Sequence, residues 1–313
     1  MLSAYLLISH GSSDPRHKAG LLRLANLMRQ RLDRSLCDDL HAATIAQQSF
    51  GSLNTSHPYR TPSSQARVSE PLPFRPVKGS HRITLPPTPI VGIATLEATS
   101  IPLSQQIETF AKRVMAQGIR QVVIMPLFLL AGVHVGEDLP REIAVAESHL
   151  PAAMQLLCTP YLGSHPSFKR FMAARLGATT ADRCLLLAHG SRRAAGNRSV
   201  QQLGAILDAD VAFWSVPPDL ETQVIELIQQ GHQQIAIAPY FLFPGGITDA
   251  ITRRAEDLAE RLPKISLRLL TPLGNSADLA KAVAELALSI PHSATMPTWG
   301  QDRWQLARDG ITA

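Results

Sequence analysis

The sequence predicts an α/β protein made of two similar domains in tandem, each with a parallel β-sheet flanked by helices. Short apolar runs alternate with segments of helical periodicity along most of the chain, a pattern typical of parallel strands joined by crossover helices. Three motifs of the first half recur in the same order in the second. With 313 residues, 45% of them hydrophobic, the chain is long enough for two domains with proper cores.

The first half contains four predicted strands and a clear amphipathic helix. The strands are the apolar runs "AYLLIS", "PIVGIATL", "QVVIMPL" and "MQLLCTP". The segment "PLSQQIETFAKRVMAQG" is predicted to be helical because apolar residues recur at i, i+3, i+4, i+7 and i+8 from Ile107. Gly118 is expected to end this helix.

The second half repeats this order. It reads as strand "RCLLLA", strand "ADVAFWS", helix "DLETQVIELIQQG", strand "QQIAIAPYF" and strand "LRLLTP". "ISHGS" matches "LAHGS", "GIRQVVIMPLFLLAG" matches "GHQQIAIAPYFLFPG", and "LLCTPYLGS" matches "RLLTPLGNS". We interpret this as the duplication of a domain-sized unit, with domains at 1–177 and 178–290 and a tail at 291–313.

An insertion at 42–89 makes the first half longer than the second. It is rich in proline, serine and arginine, and Glu70 is its only acidic residue. This composition predicts a long mobile loop or a disordered segment. Two roles are compatible with it: a solvated insertion without function, or a basic flap over a ligand.

Composition excludes several functional classes. The net charge of +5 comes without a basic stripe on any predicted helix, so nucleic-acid binding is not expected, whereas a small acidic ligand suits the charge. No apolar run is long enough for a membrane span, and the N-terminal residues lack the features of a signal peptide. Three widely spaced cysteines predict neither disulfides nor a cysteine metal site. We therefore expect a cytoplasmic protein.

Three polar residues follow three strands of the first half. His10 follows "YLLIS", Glu97 follows "VGIATL", and His134 lies on a glycine-flanked loop after "QVVIMPL". Ligands bind beyond the carboxyl ends of parallel strands, so these side chains are predicted to share one edge. Imidazole and carboxylate suit a first-row divalent metal, and histidines also accept protons near neutral pH. The residues alone leave both roles open.

The second copy has kept only part of this set. His189 stands where His10 stands, but Ile247 takes the position of His134. The first half is therefore predicted to carry the chemistry.

Two other enzyme classes are excluded by their motifs. An α/β-hydrolase needs a serine within Gly-x-Ser-x-Gly, which the chain does not contain. A histidine phosphatase needs an arginine before the His-Gly pair, where this chain has Ser9 and Ala188.

The motifs "LLISHGSSDPR", "ATLE", "MPLFLLAGVHVGEDLP" and "APYFLFPGG" resemble the sirohydrochlorin chelatases of the class II chelatase family, in its long two-repeat form. The resemblance implies ATP-independent insertion of Co²⁺ or Fe²⁺ into sirohydrochlorin, for cobalamin or siroheme synthesis. It implies no cofactor besides the metal substrate, and a monomer whose halves form a cleft that the second half helps to close. A non-catalytic carrier of a metal or a tetrapyrrole remains as the alternative to an enzyme.

The same resemblance implies roles for individual residues. His10, His134 and Glu97 would bind the metal and accept the pyrrole protons. The substrate carries many carboxylates, for which arginine is a suitable partner. Contacts to the tetrapyrrole are therefore expected from residues near the loops: Gly11, Ser12, Arg16, Arg141 and Arg192.

Overall fold

The computed structural model describes residues 3–50, 88–192 and 194–290, and it contains two four-stranded parallel sheets. The first sheet has the order β2-β1-β3-β4 and consists of β1 (Ser3–Ser9), β2 (Ile90–Thr95), β3 (Gln121–Pro126) and β4 (Gln155–Cys158). The second has the order β6-β5-β7-β8 and consists of β5 (Arg183–Ala188), β6 (Asp210–Phe213), β7 (Gln234–Pro239) and β8 (Ser266–Leu269). The matching orders confirm the predicted α/β fold with two similar halves.

Eight helices connect and flank these strands in the described residues. They are α1 (Pro15–Phe50), α2 (Leu103–Met115), α3 (Leu139–Ser148), α4 (Pro166–Gly177), α5 (Ala194–Ile206), α6 (Leu220–Gln229), α7 (Gly246–Arg261) and α8 (Ala277–Leu288). A single π-helical turn, His134–Asp138, precedes α3. Within the described ranges, no helix combines the length and apolar character needed to cross a bilayer.

Helix α2 forms as its periodicity predicts. Ile107, Phe110, Ala111 and Val114 are all buried on one face. The helix ends before Gly118, whose φ of +82° is a left-handed conformation that favours glycine. Burial of this apolar stripe, more than intrinsic propensity, stabilises the helix.

The insertion differs in part from its prediction. The described residues up to Leu32 and from Pro89 onward belong to one compact unit, and a second unit begins at Asp33. The prediction of a loop from residue 42 was wrong for 42–50, which belong to α1. This segment has helix-forming alanine and glutamine and no glycine or proline before Gly51, so nothing breaks the helix earlier. The rest of the insertion, 51–87, and the tail at 291–313 lie outside the described residues.

The two halves of the larger unit share one hydrophobic core. Phe168 of α4 is fully buried, and its ring centroid lies 5.8 Å from that of Phe171 and 6.1 Å from that of Tyr240, which follows β7. The Tyr240 hydroxyl donates a hydrogen bond of 3.2 Å to the Leu129 carbonyl in the first half. Side chains of both halves therefore pack in one common core. The exact domain limits stay predictions.

Candidate metal centre

The sheet itself places two of the predicted residues side by side. β1 pairs in parallel with both β2 and β3, and the pairing continues beyond the strand ends. The Leu96 amide donates to the Ser9 carbonyl at 3.0 Å, and the Glu97 amide donates to the His10 carbonyl at 2.8 Å. Glu97 and His10 are thus held as neighbours by backbone hydrogen bonds.

The three polar side chains meet at this edge. Glu97 Oε2 lies 3.8 Å from His10 Nδ1, and Glu97 Oε1 lies 3.9 Å from His134 Nε2. The two imidazole rings contact edge to face, with centroids 4.7 Å apart. One donor atom from each residue lies within 4.8 Å of the other two. The structure therefore brings together the full set that the sequence singled out.

The spacing of Glu97 from each histidine suits a transition-metal ion. A metal about 2.1 Å from each donor separates neighbouring donors by roughly 3 to 4 Å, depending on the coordination geometry. The two Glu97 distances, 3.8 and 3.9 Å, lie within this range. Nitrogen and oxygen donors together suit iron, cobalt and nickel.

The centre is open on one side. The side chains of His10, Glu97 and His134 are 49%, 54% and 35% exposed. Three protein donors do not fill the coordination sphere of a first-row metal, so positions are left for a substrate.

His134 differs from His10 in having a second carboxylate. Its Nδ1 lies 2.9 Å from Asp138 Oδ2, at the other end of the π-helical turn, and Arg141 donates to Asp138 Oδ1 at 2.7 Å. The hydrogen bond with His134, and then that with Arg141, lowers the pKa of the Asp138 carboxyl. The sequence had suggested no role for Asp138; its spacing of four residues from His134 was the available signal.

Arg16, predicted to bind substrate, is already paired with acids. It donates to both oxygens of Asp249 in α7, at 3.0 and 2.7 Å, and to Asp14. The Arg16 guanidinium lowers the pKa of both carboxyls. Asp14 in turn donates its amide to Ser12 Oγ at 3.1 Å. A substrate carboxylate at Arg16 would have to compete with Asp14 and Asp249. Ser12 accepts a backbone hydrogen bond and so shapes the turn after His10.

The other two predicted arginines are more available. The Arg141 side chain is 63% exposed although one of its nitrogens binds Asp138. Arg192 is exposed on the loop after β5, in the second half. Both guanidiniums can reach solvent, and each has donors left for an anionic group.

The second half reproduces the backbone of this edge. The Ser215 amide donates to the His189 carbonyl at 2.9 Å, which matches the bond between Glu97 and His10. Ser215 therefore stands at the position of Glu97, an equivalence that the sequence alone had not identified. A serine hydroxyl cannot replace the carboxylate as an anionic metal ligand.

The position of His134 is also changed in the copy. The Tyr240 amide donates to the Leu187 carbonyl, as the Leu127 amide donates to that of Ile8. Ile247 comes seven residues after Tyr240, just as His134 comes seven residues after Leu127. Ile247 therefore takes the position of His134. The second half thus has the scaffold but lacks two of the three side chains.

Gly11 allows the close approach of Glu97, and we expect Gly11→Ala to disturb the centre. Its φ is +101°, and a Cβ there would lie 2.1 Å from the Glu97 carbonyl oxygen. The loop must move, so Co²⁺ affinity should fall at least about tenfold, together with a loss of about 1–3 kcal/mol in stability. Titration with Co²⁺ and thermal unfolding measure the two effects.

Gly118→Ala is the matched control for this substitution. Gly118 also has a positive φ, +82°, but its Cβ would meet no atom within 4 Å. It should lose stability and keep its Co²⁺ affinity. Equal Co²⁺ affinity in Gly11→Ala and the wild type would show that Gly11 does not determine the position of Glu97.

Comparison with known proteins identifies relatives of both halves. The family model described as CbiX matches residues 77–179 and again 183–289. A sirohydrochlorin ferrochelatase of Priestia megaterium is 26% identical over 184 residues, which cover 55% of this chain and 67% of that protein.

Solved structures share the fold. SirB from Bacillus subtilis with Fe³⁺ superposes with a TM-score of 0.61 at 18% identity, over 92% of this chain and 95% of that chain. The sirohydrochlorin chelatase SirB from Bacillus subtilis subspecies spizizenii, in complex with cobalt, gives 0.55 at 19% identity, over 91% and 94%.

Proposed function

The chain belongs to the CbiX family, and from this premise we propose that it is an enzyme that inserts a divalent metal into sirohydrochlorin without ATP. The metal is Co²⁺ or Fe²⁺, and the product serves cobalamin or siroheme synthesis. The observation that carries the proposal is the meeting of His10, Glu97 and His134 at one open edge. The ferrochelatase relative supports the choice of sirohydrochlorin as substrate.

In this proposal the three side chains first receive the metal ion. Two imidazoles and one carboxylate bind iron or cobalt firmly enough to strip part of its water shell. The open positions then allow the ring nitrogens of the tetrapyrrole to replace the remaining water. The protein donors leave as the ring nitrogens take over, so the metal is a substrate.

Proton transfer accompanies this exchange. The macrocycle loses two N–H protons as the divalent metal enters, so the metallated ring has the same charge as the free ring and two protons must leave. A neutral imidazole or a carboxylate close to the ring centre can accept them. His10 and Glu97 are about half exposed, which supports release of these protons to solvent.

The carboxylates of the substrate require cationic partners. Arg141 lies next to the centre, and Arg192 belongs to the loop of the second half that corresponds to the His10 loop. We propose that both bind carboxylates of the ring periphery, with Arg16 contributing only if it releases Asp249. A single chain supplies all these groups, which supports a monomeric enzyme.

Anaerobic visible absorption tests the proposal. The full chain with sirohydrochlorin and Co²⁺ or Fe²⁺ should metallate the ring at least about 10²-fold faster than the uncatalysed reaction, the usual scale of positioned proton acceptors. Nitrogen and oxygen donors do not distinguish the two metals strongly, so both should react.

The alternative, a non-catalytic carrier, gives a different result in the same assay. A carrier would bind Co²⁺ or the tetrapyrrole and leave the rate of ring metallation at its uncatalysed value. That outcome with both metals would contradict the enzymatic proposal.

A further inference from the structure

We propose that Asp138 is a positioning residue that makes His134 the fixed metal donor of the centre. The role depends on the proposed function only in that the metal held there is on its way to a tetrapyrrole. Asp138 does not belong to the group of three donors. It acts through the imidazole ring and does not touch the metal.

The contact lies within the π-helical turn. The Leu139 amide bonds to the His134 carbonyl, five residues back, and residues 134 and 138, which are four apart, lie on one face of the turn as i and i+4 do in an α-helix. Asp138 Oδ2 then lies 2.9 Å from His134 Nδ1. Its other oxygen accepts a hydrogen bond from Arg141 at 2.7 Å. Both oxygens are occupied, so the carboxylate cannot rotate freely.

This arrangement determines the tautomer of His134. An ionised carboxylate only accepts hydrogen bonds, so Nδ1 must carry the proton of the neutral ring. Nε2 then has its lone pair free, and Nε2 is the atom that lies 3.9 Å from Glu97. A carboxylate behind a ligating histidine fixes the ring and increases its basicity.

His10 has no such support. In the described part of the chain, no carboxylate other than Glu97 lies within ion-pair distance of its ring, and the side chain is 49% exposed. The two histidines are therefore inequivalent. His134 is held as a donor, and His10 is the freer ring for carrying protons away.

Asp138→Asn should reverse the tautomer. Arg141 is a donor only, so the amide oxygen turns toward it and the NH₂ group faces His134 Nδ1. Nδ1 then has to accept, and the proton moves to Nε2, where it blocks the metal. Asp138→Ala removes the contact without this reversal and provides a second test if the asparagine variant does not fold.

Long-range ¹H–¹⁵N NMR of the metal-free, histidine-labelled full chain at pH 8 reads the tautomer directly. The chain has 11 histidines, so His134→Gln is needed to assign the signal. We expect an Nδ1–H ring in the wild type and in Glu137→Gln, which removes a neighbouring exposed carboxylate from the same turn. We expect an Nε2–H ring in Asp138→Asn. An Nε2–H ring in the wild type, or no change in Asp138→Asn, would overturn the proposal.

Titration with Co²⁺ alone, followed by its visible absorption, provides the second readout. Affinity should fall about 10- to 100-fold in Asp138→Asn and Asp138→Ala, the range seen when partners of ligating histidines are removed. It should stay unchanged in Glu137→Gln. Equal affinity in all four proteins would contradict the positioning role. Neither readout requires turnover, so failure of sirohydrochlorin metallation would reject the proposed function without affecting these tests.

Discussion

Alanine in place of His134 is expected to reduce sirohydrochlorin metallation to the uncatalysed rate, a loss on the order of 10²-fold or more. The substitution removes the imidazole that follows β3 and lies 3.9 Å from Glu97. The remaining pair, His10 and Glu97, is not expected to hold the metal where the tetrapyrrole binds. The rate is measured by anaerobic visible absorption with Co²⁺ and with Fe²⁺.

His189→Ala is the matched control for this experiment. His189 occupies the corresponding position to His10 in the second half, but its neighbour is Ser215 and not a carboxylate. Substitution of an exposed residue that belongs to no group of metal donors changes free energies by only about 0.5 kcal/mol. The metallation rate should therefore stay within about twofold of the wild-type rate. Equal loss in His134→Ala and His189→Ala would show that both halves are required, contrary to a single active half.

Phe168→Ala is expected to destabilise both halves together, by about 3–5 kcal/mol. Its ring is fully buried and contacts Tyr240 of the second half, so the cavity would lie between the halves. Denaturant unfolding, followed by fluorescence and by circular dichroism, should show one transition with a lower midpoint and an unchanged slope.

Ile206→Ala is the comparison for this stability measurement. Ile206 is an apolar residue at the end of α5 that is 65% exposed, so its truncation should cost less than about 0.5 kcal/mol. Two separate transitions in Phe168→Ala, with only one of them shifted, would mean that the halves unfold independently.

Local patterns were sufficient to predict the fold. A strand buried on both faces needs a continuous apolar run. The apolar runs bounded by turn signals, such as "YLLIS" before His10, therefore correspond to β1 and its partner strands. The recurrence of motifs predicted the second sheet. The insertion was harder, since the segment 42–50 of α1 has no clear apolar stripe in its sequence to mark it as a helix.

The candidate site could be predicted in part. Because parallel strands end at a common edge, His10, Glu97 and His134 could be grouped before their distances were known. The partners of Arg16 could not, since Asp249 is more than two hundred residues away and only packing of the halves brings them together. Asp138 was visible in the sequence four residues after His134, but this spacing brings two side chains together only on a helix, and the sequence predicted a loop at His134.

The shared core also explains why a half that lacks two of the three metal donors would be retained. If residues after the first half were removed, the buried face of α4, which packs against α8, would become an apolar surface exposed to water, of the kind that drives aggregation. Sequence change in the second half is therefore limited inside the core and freer at its strand-end loops. Its binding residues can be lost by drift while its folding residues cannot.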